Sequence, residues 1–142
     1  MQIRAWEEKD LTKIEEIERR CFADPWKTAD FIGVLQYPVY RSFLAEEGGQ
    51  VCGYGCMIVL FETAEIANIA VDIPYRRQGI GREILNAMHE AAKNAGAEEA
   101  LLEVRMHNTS AISLYESLGY ARYGVREKYY GDEDALLMKK KL

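Results

Sequence analysis

The sequence predicts a single α/β domain of the α+β kind, with a mixed, mostly antiparallel sheet of about seven strands flanked by about four helices. Three observations carry that reading. Residues 40–46 and 51–60 are β-rich runs on either side of Glu47-Gly48-Gly49-Gln50, a hairpin signal by composition and length. The stretch from Asn68 through Arg82 passes from an apolar segment through a basic, glycine-bearing turn into a helical pattern. A strand-like run at 100–105 follows, which is the order of a right-handed parallel crossover. Finally, 142 residues with 49% hydrophobic and 29% charged side chains suit one domain, assigned to 1–142, that buries a core.

Taken in order, Gln2-Ile3-Arg4-Ala5-Trp6 alternates like a short strand, and Asp10 stands in an N-cap position ahead of Leu11, Ile14, Ile17 and Cys21 at helical spacing. Phe22-Ala23-Asp24-Pro25-Trp26 breaks that helix, and its aromatics form either a packed corner or one wall of a substrate groove. Thr28 is then expected to cap a second helix carrying Phe31, Val34 and Leu35 that stops before Pro38. After the hairpin comes a strand over 65–71, then a helix over 80–95 with Ile84, Leu85, Met88 and Ala92 inward, His89 on its surface and Gly96 as its stop. The strand at 100–105 precedes a short helix begun by Asn108 or Ser110, containing Ile112, Leu114, Tyr115 and Leu118 and closed by Gly119. Residues 120–128 and 135–141 read as a last antiparallel pair.

A net charge of −5 argues against a nucleic-acid partner. The absence of any apolar run near ~20 residues, and of an apolar N-terminal stretch, predicts a cytoplasmic protein without a membrane partner. The three cysteines, Cys21, Cys52 and Cys56, lack zinc-ligand spacing and read as small buried hydrophobes, so no metal is expected. Against the acidic background Arg76, Arg77 and Arg82 concentrate positive charge beside Gly79 and Gly81. Such a turn, leading into unpaired N–H groups at a helix start, suits a diphosphate, although a solvated turn explains the charges equally well.

With these residues in hand the chain resembles the GNAT acetyltransferase superfamily, and within it the RimI-type ribosomal-protein N-terminal alanine acetyltransferases. Asn68-Ile69-Ala70-Val71-Asp72 followed by Arg76-Arg77-Gln78-Gly79-Ile80-Gly81 matches the superfamily's acetyl-CoA motif, Gln/Arg-x-x-Gly-x-Gly/Ala. Leu102-Glu103-Val104-Arg105, then Asn108, then Leu114-Tyr115-Glu116-Ser117-Leu118-Gly119-Tyr120 is a run typical of RimI-like members. The resemblance implies a GNAT-like sheet with a bulge near Asn68, and acetyl-CoA as cosubstrate. It places Ile69, Ala70 and Val71 along the pantetheine arm, the amides of Arg77, Gln78, Gly79, Ile80, Gly81 and Arg82 around the pyrophosphate, and Asn108 against the arm. It further implies Glu103 as general base, Tyr115 as general acid, the Val71 N–H as oxyanion donor, and Trp26, Tyr129 and Tyr130 near the N-terminal peptide of a ribosomal protein.

The chemistry suits these residue types. An α-amine of pKa near ~7.8 is neutral in roughly one molecule in seven at pH 7, whereas a lysine near ~10.4 is neutral in about one in 2,500. A glutamate can finish deprotonating the former, and a phenol is a sensible acid toward a departing thiolate. Acidic residues in Tyr129-Tyr130-Gly131-Asp132-Glu133-Asp134 would attract a basic peptide, or simply solvate a loop. A GNAT acting on a lysine or small amine, and a non-catalytic acyl-CoA-binding module, remain alternative readings. The dinucleotide-binding fold does not, because the full Gly-x-Gly-x-x-Gly fingerprint is missing.

Overall fold

In the computed structural model, which describes residues 1–142, the chain runs β1 (Gln2–Arg4), α1 (Leu11–Cys21), α2 (Thr28–Gln36), β2 (Tyr40–Glu47), β3 (Gln50–Leu60), β4 (Thr63–Val71), α3 (Ile80–Asn94), β5 (Glu99–Arg105), α4 (Thr109–Ser117), β6 (Ala121–Arg126) and β7 (Ala135–Lys141). The strands form one seven-stranded sheet in the order β1-β2-β3-β4-β5-β7-β6, antiparallel except for β4 and β5. The predicted last pair is present, but β7 inserts between β5 and β6. No helix is long and apolar enough to cross a membrane.

Helices cover both faces, as the amphipathic patterns require. On one face α1 and α2 bury Leu11, Ile14, Ile17, Phe31 and Val34 against Leu44, Tyr54, Cys56 and Ala70. On the other, α3 and α4 bury Ile80, Ile84, Leu85, Met88, Ala92, Ile112 and Tyr115 against Cys52, Met57, Leu102, Val104 and Met138. Two glycines of β3 let α3 approach. A Cβ on Gly53 would fall 3.2 Å from Ile84 Cδ1, and one on Gly55 would meet the Met88 sulfur at 3.1 Å.

Three local expectations are corrected. The Asp10 carboxylate does not cap α1; it accepts the Glu7 N–H at 2.7 Å across a short 3₁₀ turn and takes a two-pronged bond from Arg4 at 2.8 and 3.0 Å. The buried Arg4 pair holds that carboxyl below its usual range and recruits it to the β1 end of the sheet. Thr28 is already the first residue of α2 and donates to Glu15 of α1, while Asp30 accepts the Lys27 N–H at 2.9 Å. His89 is buried rather than on the surface, with Nε2 at 2.7 Å from the Tyr120 hydroxyl. Burial, then the charge of Lys140, lowers its pKa to about 4. Of the cysteines, Cys52 and Cys56 are buried as expected, but Cys21 is only partly so.

Gly96 and Gly119 do end α3 and α4, each with a left-handed φ (96° and 97°) and the paired bonds of a Schellman motif. At α4 these are Tyr120 N–H to Tyr115 O and Gly119 N–H to Glu116 O, both 3.0 Å. The hydrophobic contact that accompanies this motif is here the edge-to-face pair Tyr115–Tyr120, with centroids 5.8 Å apart. Helix termination thus orients Tyr115.

Candidate active site

The site is the place where β4 and β5 part company. They pair only through Thr63, Ala64 and Glu65 with Glu99, Ala100 and Leu101; beyond these the strands splay. Splaying coincides with a bulge in β4, where Cys56 opposes Asn68 but Met57 opposes Ile66, leaving Ala67 extra. The expected bulge near Asn68 is therefore present, at the adjacent Ala67. Two connected cavities fill the gap, of about 770 and 680 Å³, sharing Cys21, Phe22, Ile69, Asn108, Ala111 and Tyr115 in their walls.

The larger cavity is a backbone site. Asp72 N–H binds Cys52 O at 2.8 Å, so Val71 opposite Gly53, and Ile69 opposite Gly55, belong to the alternate set whose N–H groups point away from β3. Where β5 has splayed, those groups face the gap. Past the Asp72 turn, Arg77 and Gly79 both take left-handed φ values, 64° and 78°, and α3 begins at Ile80. The N–H groups of Arg77, Gln78, Gly79, Ile80, Gly81 and Arg82 have no acceptor within the chain. Six donors in alternating left- and right-handed backbone, at the positive end of a 15-residue helix, form an anion-binding nest. The turn is fixed on both sides. The Asp72 carboxylate accepts Ile73 N–H at 3.0 Å and Arg20 at 2.9 and 3.3 Å, and Arg76 Nε donates to Val71 O at 3.0 Å.

Of the residues predicted for the cofactor, Ile69, Ala70, Val71, Arg77, Gly79, Ile80, Gly81, Arg82 and Asn108 line this cavity. Gln78 is exposed and does not line the cavity, although its N–H is unpaired within the chain. Asn108 is the N-cap of α4, its Oδ1 accepting Ala111 N–H at 3.2 Å, which leaves its Nδ2 free to donate. The Arg82 guanidinium bonds Ser117 Oγ at 2.8 Å and ties the two helix ends across the opening.

The smaller cavity is built from side chains. Glu103, Trp26, Tyr129 and Tyr130, all predicted site residues, line it together with Glu18, Asn68 and Arg105. Glu103 lies two residues inside the end of β5, and Arg126 of β6 ion-pairs with it at 3.1 Å. The two tyrosines stack edge to face at 5.0 Å, each under a guanidinium: Arg126 at 5.0 Å from the Tyr129 ring, Arg105 at 4.4 Å from that of Tyr130. The negative charge of Glu103 is the main cause raising the Tyr129 pKa, so this phenol stays protonated beside it. Glu133 holds the loop in place, accepting Arg105 at 3.1 Å and the His107 N–H at 2.8 Å. Trp26 packs on Phe31 with centroids 5.3 Å apart.

Tyr115 stands at the junction of the two cavities. Its hydroxyl bonds no group of the chain, and no fully buried side-chain oxygen lacks a partner, so that hydroxyl opens into the gap. Burial, then nearby Tyr130, pushes its pKa up to about 12, and it carries its proton at neutral pH. Glu103 and Tyr115 therefore approach the gap from opposite faces of the sheet.

Sequence reasoning missed Glu18 and Arg126. Glu18 carried a readable signal, a carboxylate on the apolar stripe of α1 with Ile14, Ile17 and Cys21. Arg126 carried none, because β6 reaches β5 only by way of the β7 insertion. No group of three or more His, Cys, Asp or Glu is placed to hold a metal ion.

Comparison with known proteins converges on this geometry. Residues 11–120 match the Acetyltransferase (GNAT) family. The chain is 36% identical over 140 residues to the [ribosomal protein bS18]-alanine N-acetyltransferase of Escherichia coli K12, covering 96% of this chain and 94% of that one. It is similar to the crystal structure of the ribosomal-protein-S18-alanine N-acetyltransferase from Escherichia coli, with a TM-score of 0.91, 35% identity and coverage of 99% and 92%. It also resembles Chaetomium thermophilum Naa20 in complex with a bisubstrate analogue, with a TM-score of 0.89, 26% identity and coverage of 100% and 87%. On the family match and the near full-length identity, the chain belongs to the GNAT acetyltransferase family.

Proposed function

We propose that this protein transfers the acetyl group of acetyl-CoA directly to the α-amine of a protein N-terminus, the N-terminal alanine of a small-subunit ribosomal protein. The observation that carries the reading is the parted β4–β5 gap, open to both sheet faces, with a phenol at its centre and a carboxylate on the acceptor side. The near full-length likeness to an enzyme named for alanine on bS18 supports the choice of acceptor.

The residues present fit a diphosphate-bearing thioester. Six free N–H groups from Arg77 to Arg82 suit the pyrophosphate, and the outward N–H groups of Ile69 and Val71 suit an amide-bearing arm laid along β4 as a surrogate strand. When bound there, acetyl-CoA supplies the activated acetyl group. The Val71 N–H offers a preorganised donor where negative charge develops on the carbonyl oxygen. Glu103, directly or through water, accepts the proton that the amine gives up as its nitrogen bonds to the acetyl carbon. Tyr115 delivers its own proton to the departing sulfur, and solvent restores it. A transient covalent acyl-enzyme is not required: amine and thioester meet in one gap, and Cys21, the cysteine that lines it, donates its thiol to Val71 O and is held protonated by burial.

The experiment offers acetyl-CoA with peptides beginning in Ala, Ser or Met, with blocked peptides bearing an internal Lys, and with polyamines, and maps the product by mass spectrometry. Acetylation of the free α-amine is expected, fastest on the Ala peptide. Acetylation confined to lysine or polyamine overturns the acceptor assignment, and acetyl-CoA binding without transfer overturns the catalytic one.

A further inference from the structure

The bulge does more than part the strands; it turns Asn68 around. Ala64 and Ile66 before the bulge, and Ile69 and Val71 after it, all pack in the layer under α3. Strict alternation from Ile66 would send Asn68 into that same layer. The extra residue Ala67 instead leaves two consecutive side chains, Ala67 and Asn68, facing α1.

There Asn68 meets Glu18, which is 2% exposed and has only neutral partners. Its Oε1 accepts the Tyr54 hydroxyl at 2.6 Å and Asn68 Nδ2 at 2.9 Å, and its Oε2 accepts the Trp26 N–H at 3.0 Å. Three donors from β3, β4 and the α1–α2 loop converge on one carboxylate. Glu18 therefore orients the Asn68 amide, NH₂ toward α1 and carbonyl oxygen away. That oxygen accepts no bond from the chain, and since no fully buried side-chain oxygen lacks a partner, it is open to the acceptor cavity that Asn68 lines.

We propose that the Asn68 carbonyl oxygen binds an N–H of the incoming amine, and that Glu18 is the positioning residue that turns it to the slot. The proposal rests on reading the smaller cavity as the acceptor site. A neutral acceptor is chemically suited to this task. It orients the amine by one N–H without the extra charge that would favour the ammonium form, and so leaves deprotonation to Glu103 on the other wall.

The test is a double-mutant cycle of Glu18→Gln and Asn68→Ala, with steady-state kinetics on whichever amine the wild type acetylates. A wild type active only on lysine or polyamine refutes the N-terminal assignment by itself, and the cycle still runs. Each single variant is expected to raise the acceptor KM about 10-fold while the acetyl-CoA KM stays within about 2-fold. Glu18→Gln is expected to add nothing in the Asn68→Ala background, because it acts through that side chain. An undiminished Glu18→Gln effect in that background overturns the positioning role, and so does a parallel rise in acetyl-CoA KM. If Glu18→Gln fails to fold, Asn68→Ala alone decides, and an unchanged acceptor KM overturns the proposal.

Discussion

The two cavities flanking Tyr115 are made of different material. The larger is walled by main chain: N–H groups released by a bulge, a left-handed turn and a helix start. The smaller is walled largely by side chains brought from α1, β4, β5 and two loops, several of them held by partners distant in sequence, as Arg126 of β6 holds Glu103. Backbone donors are supplied by any residue that can adopt the required φ, so the first half tolerates changes of side chain but not of conformation. The second half has the opposite sensitivity.

Three experiments probe that contrast, and a fourth sets a baseline outside it. The largest effect is expected at the junction, where Tyr115→Phe keeps the ring packing on Tyr120 but removes the proton donor; kcat should fall ~10²–10⁴-fold with acetyl-CoA binding largely spared. A near wild-type kcat in stopped-time assays removes Tyr115 from the chemistry. Because its pKa is about 12, the wild-type rate should also show no alkaline loss from this group between pH 7 and 9.

Gly79→Ala tests the backbone half. A Cβ there meets nothing within 4 Å, so only the φ of 78° resists it. The strain, about 1–2 kcal/mol, should weaken acetyl-CoA about 10-fold in calorimetry and leave the acceptor KM alone. If Gln78→Ala weakens acetyl-CoA as much, the nest is not a backbone site. On the acceptor side, Glu133→Gln should raise the peptide KM several-fold by loosening the Tyr129–Tyr130 loop from Arg105 and His107, with acetyl-CoA binding unchanged. Equal changes in both constants would show that the two halves do not separate.

The smallest effect lies outside the site. Buried His89 has a folded pKa near 4, below its unfolded value, so the unfolded chain binds more protons between those values. Its contribution to stability is complete above pH ~6.5 and is lost as the pH falls toward 4. Thermal melts should show Tm dropping over that window, and His89→Gln should flatten part of the drop. An unchanged slope would mean that His89 accepts a proton in the folded state.

The sequence by itself determined what depends on neighbours along the chain. Hairpin composition, helical periodicity, the stops at Gly96 and Gly119 and the glycine turn are all local, and apart from Asn108 the residues predicted for the cofactor fall in one contiguous stretch of strand, turn and helix. That is why the turn and its free N–H groups could be anticipated from consecutive residues. Tertiary structure decided the rest. Asp10 was drawn from the α1 cap to Arg4 and the Glu7 N–H, because the ion pair at the sheet end fixes its carboxylate on that side. His89 was buried because the chain reversal after α4 brings Tyr120 against it from 31 residues away. The bulge at Ala67 reversed the facing of Asn68, which a period-2 pattern cannot express. Glu18 and Glu103 came to line one slot only when α1 and β5 folded around it, with Arg126 of β6 pairing with Glu103. Main-chain geometry is written in consecutive residues, whereas the constellation that would receive the amine exists only where distant elements meet.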